Sequence, residues 1–288
     1  MNGFYNVIKP IGWSSSDLVI KIRGILRRHT GQKLKVGHLG TLDPLATGVL
    51  GVAVGSATKL FDYFLTKRKT YIATCVLGKE TDTLDEGGTV VKEEEVPVLS
   101  DEAIQATLLS FCGDIKQIPP VYSAKSVGGV RAYKLAHKGI EPELKPCCVT
   151  IYRCRLLDRV SNEVFRFEVE CSGGTYIRSL CRDIGAKLRL PAYMSALTRT
   201  QNGIMTIENA ATLEMIENDP TQGFFSIETF GKSLKNIDFS EDFRKQIENG
   251  VKQDGVKETG LVSVSIGGEF YGIGEAKEGQ LKIIARDR

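Results

Sequence analysis

A chain of 288 residues, 42% apolar and 25% charged, has the composition of a globular protein and the length for one large domain plus a small one. Its 38 Lys and Arg against 35 Asp and Glu leave a net charge of +3, too little to mark a nucleic-acid binder by itself. No apolar run approaches the ~18 residues of a bilayer span. The first residues lead into charge and turn signals instead of an apolar signal core, and the seven scattered cysteines contain no C-x-x-C pair. The expectation is a cytoplasmic protein with reduced thiols and no metal, membrane or disulfide framework.

The distribution of charge says more than its sum. Between Asp17 and Asp43 there is no acid, but there are Lys21, Arg23, Arg27, Arg28, Lys33 and Lys35. A second acid-free stretch carries Lys125, Arg131, Lys134 and Lys138 with Tyr133 and His137, whereas residues 80–102 are acidic. A solvated helix face accounts for either run alone; two in one chain point to one face for a polyanion.

In chain order, Ser14 and Asp17 have capping-box spacing, and Leu18, Ile22, Ile25 and Leu26 recur at helical period. Next comes the run Gly40-Thr41-Leu42-Asp43-Pro44-Leu45-Ala46-Thr47, closed by Gly48. Pro44 disfavours the helical region for Asp43, and the glycines allow close approach of backbone or ligand. An acid on such a loop is either a turn residue bonded to its own backbone or a presented nucleophile or base. Residues 70–77 read as a strand leading into an acidic turn at 81–88. That turn lacks the twelfth-position acid of a calcium loop, so metal is not expected there.

Gly128-Gly129 offers a hinge in the second basic stretch. Phe165, Phe167, Val169 and Cys171 alternate with Arg166, Glu168 and Glu170, a half-buried strand. After Gly173-Gly174, Thr175 is expected to cap a helix that buries Ile177, Leu180, Ile184 and Leu188. Arg178 then falls in its first turn, facing an anion that is either Asp43 or a phosphate. From about residue 232, short β-like runs at 261–266, 270–273 and 281–285, parted by glycines, predict a small β-barrel. A linker is expected at 221–235.

Residues 35–50, KVGHLGTLDPLATGVL, resemble the catalytic motif of the TruB family of tRNA pseudouridine synthases. Lys9-Pro10-x-Gly12, Lys69-Thr70-Tyr71 and the SGGTYIR run ending at Arg178 fall in the family's order. The resemblance implies an α+β pseudouridine synthase fold: a large mixed, mainly antiparallel sheet flanked by helices, with a C-terminal PUA-like β-barrel. It implies a catalytic domain at 1–230, with an RNA-clasping insertion at about 122–148, and an RNA-binding domain at 233–288.

The activity implied is conversion of uridine to pseudouridine at position 55 in the T-loop of tRNA. By this resemblance Asp43 is the nucleophile, Arg178 its partner, and Tyr71 the third catalytic residue, which stacks on the flipped base or also helps to remove the C5 proton. His38 contacts the RNA loop, and Tyr176, Leu197, Lys9, Pro10 and Lys59 belong to the pocket. Arg131 and Lys134 grip RNA from the insertion. Thr198 stands where the family more often has arginine, and the C-terminal module is short. The reaction moves one bond within a nucleotide, so no cofactor is implied. The partner is the tRNA T-arm, without a membrane or an obligate protein partner, and the enzyme is expected to be a monomer. The competing readings are a tRNA-folding chaperone on the same surface and a carboxylate-nucleophile glycosidase. The glycosidase would want a second acid, and none stands out beside Asp43.

Overall fold

The computed structural model describes residues 1–286 apart from 124, 128, 133, 134, 136–139 and 141. The chain opens with β1 (Gly3–Lys9) and helix α1 (Ser15–Thr30). Ser14 caps α1 as its spacing predicts: its hydroxyl accepts from the Asp17 amide, and the Asp17 carboxylate accepts from the Ser14 amide at 2.9 Å. Leu18, Ile22, Ile25 and Leu26 bury one side of the helix.

Strands β2 (Val36–His38) and β3 (Ala46–Val54) flank the motif loop. A 3₁₀ turn at Gly55–Leu60, α2 (Phe61–Thr66) and β4 (Lys69–Leu77) follow. Then come a hairpin of β5 (Lys79–Thr81) and β6 (Val90–Glu93), helix α3 (Asp101–Leu109) and β7 (Gly113–Gln117). The basic insertion contributes a small hairpin, β8 (Ser126–Val127) and β9 (Val130–Arg131). Strands β10 (Cys147–Arg159) and β11 (Val164–Cys171), helix α4 (Ile177–Lys187) and β12 (Ala192–Asn202) complete the centre. The outer pieces are β13 (Met205–Thr206), α5 (Leu213–Asn218), β14 (Phe224–Ser226) and α6 (Ile227–Gly231).

Among the described residues these strands form one ten-stranded sheet in the order β14-β1-β3-β12-β4-β11-β10-β7, with β2 added to β3 and β13 to β12. Every pair in it is antiparallel except β3 and β12, which run parallel with Leu197 opposite Ala46 and Arg199 opposite Gly48. That one parallel contact sets the second half of β12 beside the motif loop. The period-two strand is β11: Phe165, Phe167, Val169 and Cys171 are buried, while Glu168 on its other face pairs with Arg153 and Arg155.

The last part of the chain forms a second, half-barrel sheet of β15 (Asn236–Phe239), β16 (Gln253–Asp254), β17 (Gly260–Ile266), β18 (Glu269–Lys277) and β19 (Gln280–Arg286). The expected linker at 221–235 is instead structured: β14 pairs with β1, and Phe230 of α6 packs edge-on against Phe4 at 5.3 Å. Ile273 and Ala285 of the second sheet join Phe4, Phe64 and Phe230 in one apolar cluster. Elements of three and five residues carry too few periods for sequence pattern to find them.

Candidate active site

Between β2 and β3, the motif loop has its backbone tied down residue by residue. The carbonyls of Gly40 and Thr41 accept from Arg199 at 3.1 and 3.4 Å. Leu42 donates to and accepts from the buried Ser15 hydroxyl at 2.8 and 3.0 Å. The Asp43 carbonyl accepts from the Ala46 amide at 3.0 Å, and the Pro44 carbonyl from the Gly12 amide at 2.8 Å and from Lys9 Nζ at 3.3 Å. Thr47 bonds back to the Lys9 carbonyl at 2.7 Å. Buried backbone groups demand such partners, and satisfying all of them leaves the Asp43 carboxylate projecting from a fixed frame. Two glycines permit it. A Cβ on Gly48, whose φ is +97°, would lie 2.2 Å from the Arg199 carbonyl, and Gly40 has φ +124°.

At the tip of this frame, Asp43 Oδ2 lies 3.0 Å from Nε of Arg178. Arg178, on α4, is 6% exposed, and both of its terminal nitrogens are engaged. Nη1 meets Asp85 Oδ2 at 3.2 Å and the Thr83 carbonyl at 3.1 Å, and Nη2 meets the Tyr122 carbonyl at 3.0 Å. The anion facing Arg178 is therefore Asp43, and a second acid, Asp85, stands on the same guanidinium. Sequence reading found no acid beside Asp43 because Asp85 belongs to the acidic turn 81–88, far away in sequence. Asp85 is itself fixed by the Thr83 hydroxyl at 2.7 Å and the Gly87 amide at 3.1 Å. The Glu86 amide and the Met194 amide anchor this turn to the start of β12.

The α4 terminus differs from expectation in one detail. Tyr176 occupies the cap position without a side-chain cap bond, while the Thr175 hydroxyl closes the preceding turn on the Ser172 carbonyl at 2.9 Å. The amide of Gln117 brackets the Tyr176 backbone instead, donating at 3.0 Å and accepting at 2.8 Å. This substitutes for a cap, and only the pairing of β7 with β10 brings it there.

Tyr71 lies on β4 between Val169 and Arg199 and is 6% exposed. Burial pushes its phenol up, and the positive charge of Arg199 opposes that push. Lys9 and Lys69 are buried too, each bonded to three backbone carbonyls. Burial brings each ammonium down to about 8, with Asp43 working against the shift at Lys9.

Pro10 is half-buried, and its carbonyl accepts from Lys9. Leu197 is buried opposite Ala46 and Ala73, beneath the loop. His38 is half-buried opposite Val52, its Nδ1 enclosed without a hydrogen-bond partner; burial and Arg199 push its pKa down. Lys59 is not brought to the pocket. It is exposed on the 3₁₀ turn beyond the far end of β3, roughly 25 Å along the strand from the Asp43 end at the usual strand rise. Arg131 lends its backbone to β9, and Lys134 lies outside the described residues, as do Tyr133, His137 and Lys138. Ser15, Asp85, Gln117 and Arg199 were missed by sequence reading; a buried arginine inside a strand of alternating pattern was the one available signal.

The family model for TruB family pseudouridylate synthase (N terminal domain) matches residues 27–177, more than half of the chain. The model for the tRNA pseudouridylate synthase B C-terminal domain matches residues 178–222. A tRNA pseudouridine synthase B from Clostridium tetani is 40% identical over 291 residues, covering 99% of each chain. One from Caldanaerobacter subterraneus subsp. tengcongensis is 40% identical, covering 96% of each. Among solved structures, a Cbf5-Nop10-Gar1 complex contains a chain with TM-score 0.71 and 25% identity, covering 99% of this chain and 83% of that one. With the motif loop, its aspartate and its arginine partner assembled at one point of a fold shared over nearly the whole length, the chain belongs to the TruB family of pseudouridylate synthases.

Proposed function

We propose that this chain is a tRNA pseudouridine synthase that converts uridine to pseudouridine at position 55 of the T-loop. The observation that carries the reading is the 3.0 Å ion pair of Arg178 with Asp43, on a loop whose carbonyls are already bonded elsewhere. Asp43 is the nucleophile, acting at C1′ or at the pyrimidine ring. The C1′–N1 bond breaks, the base turns, C1′–C5 forms, C5 loses its proton and N1 gains one. Atoms and electrons balance without a redox partner.

The target base leaves its stack to reach Asp43, at a cost of a few kcal/mol, and Tyr71 and Leu197 offer it an apolar seat. Arg178, held by Asp85, Thr83 and Tyr122, keeps the carboxylate aimed. His38 and Tyr176 flank the RNA loop, and the 122–148 insertion clasps it. The division into a catalytic part at 1–230 and a PUA-like RNA-binding part at 233–288 is supported by the change of sheet between Ser226 and Asn236. The enzyme is a monomer in this reading. Among the described residues no helix is long and apolar enough to cross a membrane, in keeping with action on tRNA in the cytoplasm.

The test is carbodiimide-based primer extension on an unmodified tRNA transcript incubated with wild type and with Asp43→Asn. A stop at the T-loop uridine with wild type only is the expected result. Tight tRNA binding with no stop for either protein would leave a folding chaperone instead.

A further inference from the structure

Among the described residues Arg199 is the largest fully buried side chain, 1% exposed, and no carboxylate of theirs lies within ion-pair distance of it. Its Nε donates to the Val49 carbonyl at 2.7 Å, Nη2 to Gly40 at 3.1 Å and Nη1 to Thr41 at 3.4 Å, and Tyr71 is its cross-strand neighbour on β4. The fork thus ties down the base of the motif loop, with a phenol beside it on the neighbouring strand. The β3–β12–β4 register enforces this, since Arg199 stands opposite Gly48 on one neighbour and Tyr71 on the other. Gly48 has no room for a side chain against the Arg199 backbone, so the two strands sit flush there.

An unpaired buried charge is unfavourable for stability, and an apolar residue in this core would be the better structural choice. Burial brings a lysine toward neutrality, as it does at Lys9 and Lys69, whereas a guanidinium keeps its charge throughout. Carbonyl ties alone would also be met by neutral donors. What only this side chain supplies is a rigid, permanent charge bonded to the loop of Asp43 and set beside Tyr71 across the strand pair.

We propose that Arg199 is a positioning residue for Tyr71 and Asp43 together, fixing the phenol oxygen relative to the loop that carries the carboxylate. The inference rests on the pseudouridine synthase reading above and deepens it. Its chemical consequence falls on the late step. When the C5–H bond breaks, its electron pair returns to the ring and the proton leaves to solvent past the Tyr71 oxygen, while N1 takes a proton from water. A displaced phenol slows that transfer selectively.

The experiment compares wild type, Arg199→Lys and Arg199→Gln in single turnover on saturating tRNA transcript, with protium or deuterium at C5 of its uridines. The expected result is tRNA affinity within threefold of wild type and a rate at least 100-fold lower for Arg199→Gln. A smaller loss is expected for Arg199→Lys, with a larger C5 isotope effect in both variants. A merely structural role would lower the rate without moving the isotope effect, and that result, or rates within threefold of wild type, would overturn the proposal. Should both variants fail to fold, the ¹⁵N-guanidinium NMR spectrum of wild type is compared with that of Tyr71→Phe. A shift of the buried arginine protons is expected, and an unchanged spectrum overturns the proposal. Wild type that makes no pseudouridine defeats the functional reading; an active wild type with indifferent Arg199 variants defeats this inference alone.

Discussion

Arg178 joins Asp43 to Asp85: its Nε lies 3.0 Å from one carboxylate and its Nη1 3.2 Å from the other. One guanidinium so occupied can neither rotate nor swing out with RNA, and Asp43 inherits that rigidity. Asp43→Asn is expected to abolish turnover while leaving tRNA affinity within a few-fold. Asp85→Asn removes only a brace, so turnover should fall about 10- to 100-fold, roughly 1.4–2.7 kcal/mol of transition-state stabilisation, with KM within twofold. Tritium release from tRNA labelled at C5 of uridine measures both. An Asp85→Asn enzyme with wild-type turnover would show that the Asp43 contact alone aims the arginine.

Gly48 is the point where β3 and β12 touch most closely. Gly48→Ala places a Cβ 2.2 Å from the Arg199 carbonyl at a φ of +97°. Positive φ alone costs an alanine of order 1–3 kcal/mol, and the clash with backbone adds to it. The expected outcome is a loss of at least about 3 kcal/mol, read as a lowered urea midpoint. A variant within about 1 kcal/mol of wild type would mean that the strands separate freely here.

The motif loop, the α1 cap and the alternation of β11 were legible because each is written in neighbouring residues. Ser14 and Asp17 are three apart, and Phe165, Phe167 and Val169 declare their own period. Asp85, Gln117 and Arg199 were not legible, because each acts on a partner that only sheet topology brings near. Asp85 in particular sits in a turn whose acids read as solvent-facing charge, which Asp82 is: it is exposed and accepts from the Thr89 amide at 2.9 Å. Lys59 failed for the opposite reason: it is near Asp43 in sequence but a whole strand away in space.

The two buried ammonium groups give a pH signature. Lys9 and Lys69 are brought down to about 8 from 10.5 by burial. Below pH 8 both folded and unfolded chains hold these protons, and the full cost of burying the charge is present. Between pH 8 and 10.5 the unfolded chain binds more protons than the folded one, so this contribution to stability rises with pH. From pH 7 to 9 it amounts to about 1 kcal/mol per group. Buried thiols act in the opposite sense above pH 9, since burial pushes Cys171 up to about 11 while an unfolded thiol ionises near 9. The difference in unfolding free energy between wild type and Lys9→Met separates the two, and it should shift in favour of wild type by about 1 kcal/mol from pH 7 to 9. A flat difference would mean that Lys9 keeps an ordinary pKa.

The cations of α1 make the last test, because their partners sort them. Lys21 is held by Glu217, and Arg23 donates to the Val36 carbonyl at 3.2 Å, but Arg27 is exposed in the last turn without an ion pair among the described residues. Helix geometry puts it about 18 Å along the axis from Ser15, the residue bonded to Leu42 beside the nucleophile. A contact at that distance serves the RNA backbone and not the flipped base. Arg27→Glu is therefore expected to weaken tRNA binding about 10-fold at low salt and to reduce the slope of log affinity against log salt by roughly one. The single-turnover rate at saturation should stay within twofold. Filter binding across a salt series measures the slope, and a slope equal to that of wild type would remove this end of α1 from the RNA interface.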